Sequence, residues 1–397
     1  MKTTGVLKVN ALFFLCLLLV PFCFFGQKTF ETGKILDSIP VLNSKEETFS
    51  LYLPTTFHKD SLSSIIFVFE PGARGRIGAT PFTEAAEAYG HIIVCSNNSK
   101  NGLMEKSFEI ANRLFDHVFK SFNIKESEMY VSGFSGGSRL ATAIASLTNK
   151  FKGVVACGAG FSSNPSHVPS TQNFAYVGLC GNADMNYAEM MRNKEFLNRL
   201  QFKNTLITYP DNHSWPAKAY INQAFRWLYL QENGNQKELS IAFNEELEKA
   251  LVFERSGEFL LAAETYERMM TLHSSSREKP AIQKKYLELK KSKSYKRELK
   301  SLNVALTKEK EINTKLYNRL YEDFSNPRSA KLDWWEQEIG KLNKIKQKDE
   351  PQLKLMVERI KFGVFAAAYE NNRSNFSDSE SPKVVFAKKI RDMIYPR

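Results

Sequence analysis

The pentapeptide Gly133-Phe134-Ser135-Gly136-Gly137 is the strongest chemical signal in the chain. A strand-like run, MYVSGF, leads into it, and a helix-like run, GSRLATAIASL, follows. Small residues on either side let the backbone turn sharply from strand to helix, which lifts the Ser135 hydroxyl above a sheet. The same turn aims the Gly136 N–H, at the start of the helix, toward the place where an oxyanion would form. A serine hydroxyl is a weak nucleophile alone; it needs a base, and the base needs an acid to orient it. In sites built on such a turn the order along the chain is serine, acid, histidine. Asp184, in GNADMNY, follows a strand-like run and is the only aspartate between Asp116 and Asp211. Asp211 stands two residues from His213, too close to orient that ring from a separate loop. Among the six histidines, His213 alone follows the last strand-like run, whereas His167 precedes the acid. The reading is therefore Ser135 as nucleophile, His213 as base and Asp184 as orienting acid.

A second oxyanion donor is expected from the loop Glu70-Pro71-Gly72-Ala73-Arg74-Gly75-Arg76, where Gly72 and Gly75 allow the backbone to turn its N–H groups inward. Ala73 or Arg74 is the expected donor. Tyr187 and Trp215, each near one of the three side chains in sequence, are candidates for lining a substrate pocket, with core packing as the alternative.

These residues need a scaffold, and the pattern between residues 27 and 235 supplies one. Short apolar runs at 49–54, 64–70, 91–96, 128–134, 151–157, 173–180 and 205–210 are rich in β-branched and aromatic residues without clean alternation. Strands buried on both faces look like this. Helical spacing at 82–89, 105–121, 136–149, 185–201 and 215–230 alternates with them. The expectation is a mostly parallel sheet with helices on both faces and an antiparallel start near 34–53. At QENGNQK (231–237) the composition changes to Lys, Glu, Leu and Ala, with helical periodicity and no convincing strand. Residues 236–397 are expected to form an all-α domain.

The ends and the charge add context. Residues 1–26 have the layout of a secretory signal peptide: Lys2 and Lys8, an apolar run, Pro21, then Gly26. That predicts export, to the periplasm or beyond, with no stable membrane span after its removal. Cys95, Cys157 and Cys180 remain; an odd number excludes a disulfide scaffold, although Cys157 and Cys180 could form one bridge. The formal net charge of +12 is concentrated beyond residue 235, where Glu and Asp interleave with Lys and Arg. That mixing predicts a solvated helical surface rather than a nucleic-acid site. No metal-ligand spacing, phosphate-cradling loop or nucleotide fingerprint occurs, so neither cofactor nor metal is expected.

Taken together, FVFEPGARGR, AYGHIIVCSNNSKNG, YVSGFSGGSRLA, VVACGAGF, GNADMNY and NHSWP resemble bacterial α/β-hydrolase esterases of the polyester-depolymerase and feruloyl-esterase type. The resemblance implies hydrolysis of a small-molecule or carbohydrate-linked ester through an acyl-serine. A peptidase or amidase on the same fold, or a non-catalytic binding protein, would use the same elements. Residues 246–274 resemble one tetratricopeptide unit, with Ala250, Gly257, Ala262 and Tyr266 at its small and packing positions. An ordinary helical bundle is the alternative. A protein partner held by the helical domain is a further expectation.

Overall fold

The computed structural model describes residues 30–231, 235–272, 278–371 and 380–396. The expected signal segment, 1–26, lies outside them. Residues 32–397 belong to one compact unit.

Eight strands form a single sheet: β1 (Ile35–Pro40), β2 (Thr48–Tyr52), β3 (Ser63–Phe69), β4 (His91–Ser96), β5 (Ile124–Phe134), β6 (Gly153–Cys157), β7 (Ala175–Gly181) and β8 (Asn204–Tyr209). Their spatial order is β1-β2-β4-β3-β5-β6-β7-β8. β1 pairs antiparallel with β2, and β2 with β4, while every other pairing is parallel. This is the α/β-hydrolase arrangement. β3, β4, β6 and β8 are buried along their whole length, which is why they read as apolar-rich runs without clean alternation. β5 begins earlier than its apolar run suggests, because Ile124–Glu128 is a more exposed stretch leading into the buried part of the strand.

The connecting helices are α1 (Gly75–Ala79), α2 (Thr83–Tyr89), α3 (Met104–Ser121), α4 (Gly136–Thr148), α5 (Tyr187–Arg199) and α6 (Lys218–Leu230). One face of the sheet, with Ile66, Val68, Ile93, Val155 and Val177, shares a core with α2 and α6. The other face packs Phe67 against Phe115 of α3, with ring centroids 4.6 Å apart. The period-two alternation of side chains along each strand divides the two layers. The short α1 was illegible in the glycine-rich GRIGA.

Among the described residues, seven further helices follow: α7 (Gln236–Ser256), α8 (Phe259–Thr271), α9 (Lys279–Lys291), α10 (Lys293–Ser325), α11 (Leu332–Lys346), α12 (Pro351–Glu370) and α13 (Pro382–Ile394). A capping box between Asn235 and Glu238 starts α7. It ends at Gly257, whose φ of 81° suits a residue without a side chain and turns the chain into α8. Ala250 and Ala262 are fully buried where these two helices meet. The composition changes at 231–237, but the core does not: one apolar cluster runs from the sheet through α6 into α7, α8 and α9. α8 covers the edge strand β8, where Glu264 accepts hydrogen bonds from the Thr208 N–H at 2.9 Å and its hydroxyl at 2.8 Å. An edge strand left open would invite pairing with another chain. A second cluster joins α10 to α13 around buried Trp335.

Candidate active site

Ser135 caps α4 at the end of β5, with φ 52° and ψ −119°, a backbone conformation rare for a residue with a side chain. The neighbouring glycines explain how the turn closes. A Cβ on Gly133 would strike the Gly137 backbone, and one on Gly137 would strike the Phe69 carbonyl of β3. One on Gly136 would strike the Asn101 side chain. The Ser135 N–H donates to the Cys157 carbonyl at 2.8 Å, anchoring the turn to β6. Gly136 begins the helix, where N–H groups have no intrahelical acceptor.

Asp184 follows β7 and His213 follows β8. Their two loops are zipped together: Asn182 N–H donates to Tyr209 O at 2.8 Å, and Ala183 N–H to Asp211 O at 2.9 Å. Gly181 lacks the Cβ that would collide with the backbone of Asp211. As a result His213 Nδ1 lies 2.8 Å from Asp184 Oδ2, and His213 Nε2 lies 3.0 Å from Ser135 Oγ. The Asn186 N–H donates to Asp184 Oδ1 at 2.8 Å, so both carboxylate oxygens are held. Burial pushes the Asp184 carboxyl above its ordinary pKa, against the lowering by His213 and the Asn186 N–H. The anion therefore gains from a positive charge forming on the adjacent ring. Phe134, the variable residue of the pentapeptide, packs on the imidazole with centroids 4.6 Å apart.

Solved structures resemble about half of the chain. An S-formylglutathione hydrolase from Staphylococcus aureus is 16% identical over 50% of this chain and 96% of its own, with a TM-score of 0.37. A feruloyl esterase module from Clostridium thermocellum is 14% identical over 49% and 87%, with a TM-score of 0.42. An esterase from Pyrobaculum calidifontis is 12% identical over 50% and 86%, with a TM-score of 0.40. No family model and no curated protein matches the chain.

Two expectations about the surroundings are corrected. The Ala73 N–H donates to Glu70 O at 3.1 Å, and the Arg74 N–H to Glu70 Oε2 at 2.9 Å. The Gly72 N–H also goes to Glu70 Oε2, at 2.7 Å. Glu70 thus takes up these N–H groups, Gly72 and Arg74 on its buried carboxylate and Ala73 on its main-chain carbonyl, so neither Ala73 nor Arg74 offers a backbone donor to an oxyanion at Ser135. The Arg74 guanidinium pairs with the same carboxylate. Tyr187 and Trp215 do not line the cavity at Ser135. Tyr187 is buried under Arg359, whose guanidinium lies 5.2 Å from its ring centroid. Trp215 packs against Phe82 and Phe134 in the core. Both rings follow the apolar interior rather than the loops they begin on. Cys157 and Cys180 are buried free thiols. Cys157 sits opposite Leu179 in the ladder, so Cys180 points to the other face of the sheet and no bridge forms.

The cavity at Ser135 measures about 330 Å³ and is lined by Asn101, Met104, Leu140, Met185 and Glu370 among others. Arg139 also borders it, but is held in a two-pronged pair with Glu189 at 2.8 and 2.7 Å. Sequence reasoning missed the residues that the helical region adds. Along one side of α12, Arg359 Nη1 donates to Asn182 O at 2.8 Å, and Phe362 lies 5.4 Å from the His213 ring centroid. Further along the same helix, Glu370 Oε1 accepts from Asn101 Nδ2 at 3.2 Å. The 359, 362 and 370 spacing was visible as helical periodicity, but nothing in it says what the stripe faces.

Proposed function

We propose that the chain is an exported serine hydrolase that cleaves carboxylic esters through an acyl-serine intermediate. The observation carrying this reading is the unbroken relay from Asp184 Oδ2 through the His213 ring to Ser135 Oγ, at 2.8 and 3.0 Å. These are hydrogen-bond distances between an acid, a base and a nucleophile in the order the chemistry requires. His213 Nε2 takes the Ser135 proton as Oγ bonds to the acyl carbon. The carbonyl π bond becomes an oxyanion, which meets the Gly136 N–H at the start of α4. Asp184 keeps the Nδ1–H tautomer in place and stabilises the imidazolium. The imidazolium then protonates the leaving alkoxide as the ester C–O bond breaks. A water molecule, deprotonated by His213, attacks the acyl carbon, and Ser135 leaves with the proton returned from Nε2.

The substrate class is a small-molecule or carbohydrate-linked ester. Residues 27–235 carry the chemistry, and 236–397 form a helical, tetratricopeptide-like region able to meet a protein partner. Among the described residues no helix is long and apolar enough to cross a membrane. The lysine-led apolar segment at 1–26 supports export to the periplasm or the medium.

A fluorophosphonate probe and a p-nitrophenyl ester test the reading together. Both reactions should be lost in Ser135→Ala and in His213→Ala, with kcat down by about 10⁴-fold or more. Labelling of Ser135→Ala at the parental rate would refute it.

A further inference from the structure

The helical region has no chemistry of its own in the proposed reaction, yet it touches three loops of the site. Arg359 anchors α12 to the loop carrying Asp184, through Asn182 O at 2.8 Å. Its guanidinium is fully buried between Tyr187 and Glu309 of α10, with Nε 2.8 Å from Glu309 Oε2, so the helix is pinned from both sides. One turn on, Phe362 lies over the His213 imidazole on the loop after β8. Beside it, Gly363 leaves room for the Tyr317 hydroxyl of α10, which a Cβ there would strike, and it stands at ordinary contact distance from Met185. At the helix end, Glu370 reaches the loop after β4 through Asn101 and forms part of the cavity wall. These contacts lie on one helix face, because residues 359, 362, 363 and 370 repeat at helical spacing. Of these, Glu370 borders the cavity at Ser135, about 330 Å³ and near the lower end of the range for ligand pockets of about 300–1,000 Å³, while Phe362 stands beside it against the His213 ring.

We propose that α12 is the size-selecting wall of the active site, with Phe362 and Glu370 restricting it to low-molecular-weight esters of short acyl chains. A polymer chain or a long acyl group cannot lie across Ser135 while Phe362 covers one side of His213 and Glu370 borders the cavity. This inference rests on the ester-hydrolase reading of Ser135 and narrows its substrate class. It also gives the helical region a role that needs no partner.

The test compares p-nitrophenyl acetate, butyrate and octanoate on the full chain, reading kcat/KM for each. The parental enzyme should favour butyrate over octanoate by about tenfold or more, since each methylene that a pocket cannot hold costs at least about that much. Phe362→Ala and, separately, Glu370→Ala should raise the octanoate-to-butyrate ratio by more than about threefold. Glu370 is exposed, so its removal does not put folding at risk. A merely structural role would lower all three substrates together and leave the ratio unchanged. The proposal fails if neither variant moves the ratio, or if the parental enzyme cleaves octanoate as well as butyrate. Absence of any Ser135-dependent hydrolysis would sink the ester-hydrolase reading and this one with it. Ser135-dependent hydrolysis with a flat chain-length profile sinks only the size-selecting wall.

Discussion

The sheet region and the helical region contribute to the same cavity by different physical routes. In the sheet region each reactive side chain stands at the end of a buried strand, within a few residues of the glycine or backbone contact that positions it. Ser135 depends on Gly133 and Gly137, and Asp184 on Gly181, whose missing Cβ lets the histidine loop close against the acid loop. In the helical region the contribution comes from one face of α12, positioned by a buried ion pair to α10 some 50 residues earlier in the chain. Reactivity is thus built from local turns, whereas the enclosure of the site is built from long-range packing. A continuous core through α6 to α9 ties the two regions together, so these helices are an integral portion of one folded body rather than an appendage.

The comparison can be broken from either side. The largest effect belongs to the sheet region. Asp184→Asn should leave the fold intact and lower kcat by about 10⁴-fold, because the amide favours the wrong imidazole tautomer. Ester turnover within tenfold of the parental rate would show that Asp184 does not orient His213. The next effect belongs to the helical region. Arg359→Ala strands the Glu309 carboxylate in the interior and should cost about 3–5 kcal/mol in urea-unfolding free energy. If the two regions are one body, unfolding stays a single transition and ester turnover falls with it. Two separated transitions with an unchanged kcat would mean that the helices are an independent module.

The smallest effect separates the regions by pH. His91 is buried at the start of β4, and burial lowers its pKa to about 3. The unfolded chain then binds a proton that the folded chain refuses between about pH 6.5 and pH 3. Stability is therefore whole above 6.5 and falls on acidification, by about 1.4 kcal/mol per pH unit from this group. Glu246 of α7 has its pKa lowered to about 2, with Arg268 and Lys249 overcoming the cost of burial. Its stabilising contribution is present above about pH 4.5 and is lost as pH falls toward 2. Loss between pH 6.5 and 4.5 thus reports the sheet region. His91→Phe should flatten the stability curve in that interval, and an unflattened curve would assign the loss elsewhere.

Much of the hydrolase half was legible because its signals are local. A fully buried parallel strand is rich in apolar and β-branched residues on both faces, so β3, β4 and β8 announce themselves within one or two residues. The pentapeptide around Ser135 is equally local, since its glycines answer clashes inside a single turn. The oxyanion loop shows the limit. Its glycines leave the backbone free to turn, but nothing local says that the N–H groups of Gly72 and Arg74 would turn onto Glu70, two to four residues back. Tyr187 and Trp215 show the same limit, because proximity in sequence to a site says little about which way an aromatic ring turns.

By itself, the sequence determined the alternation of buried strands and amphipathic helices, the turn at Ser135, and the order of serine, acid and histidine along the chain. Burial and backbone sterics act over a few residues, and their demands are written in residue type at each position. Only the tertiary structure decided that the acid and histidine loops zip together, that Glu70 occupies the loop's donors, and that α12 lies over His213. Those outcomes depend on which surfaces meet after the chain has closed on itself, and a helical stripe carries no label for the surface it will cover.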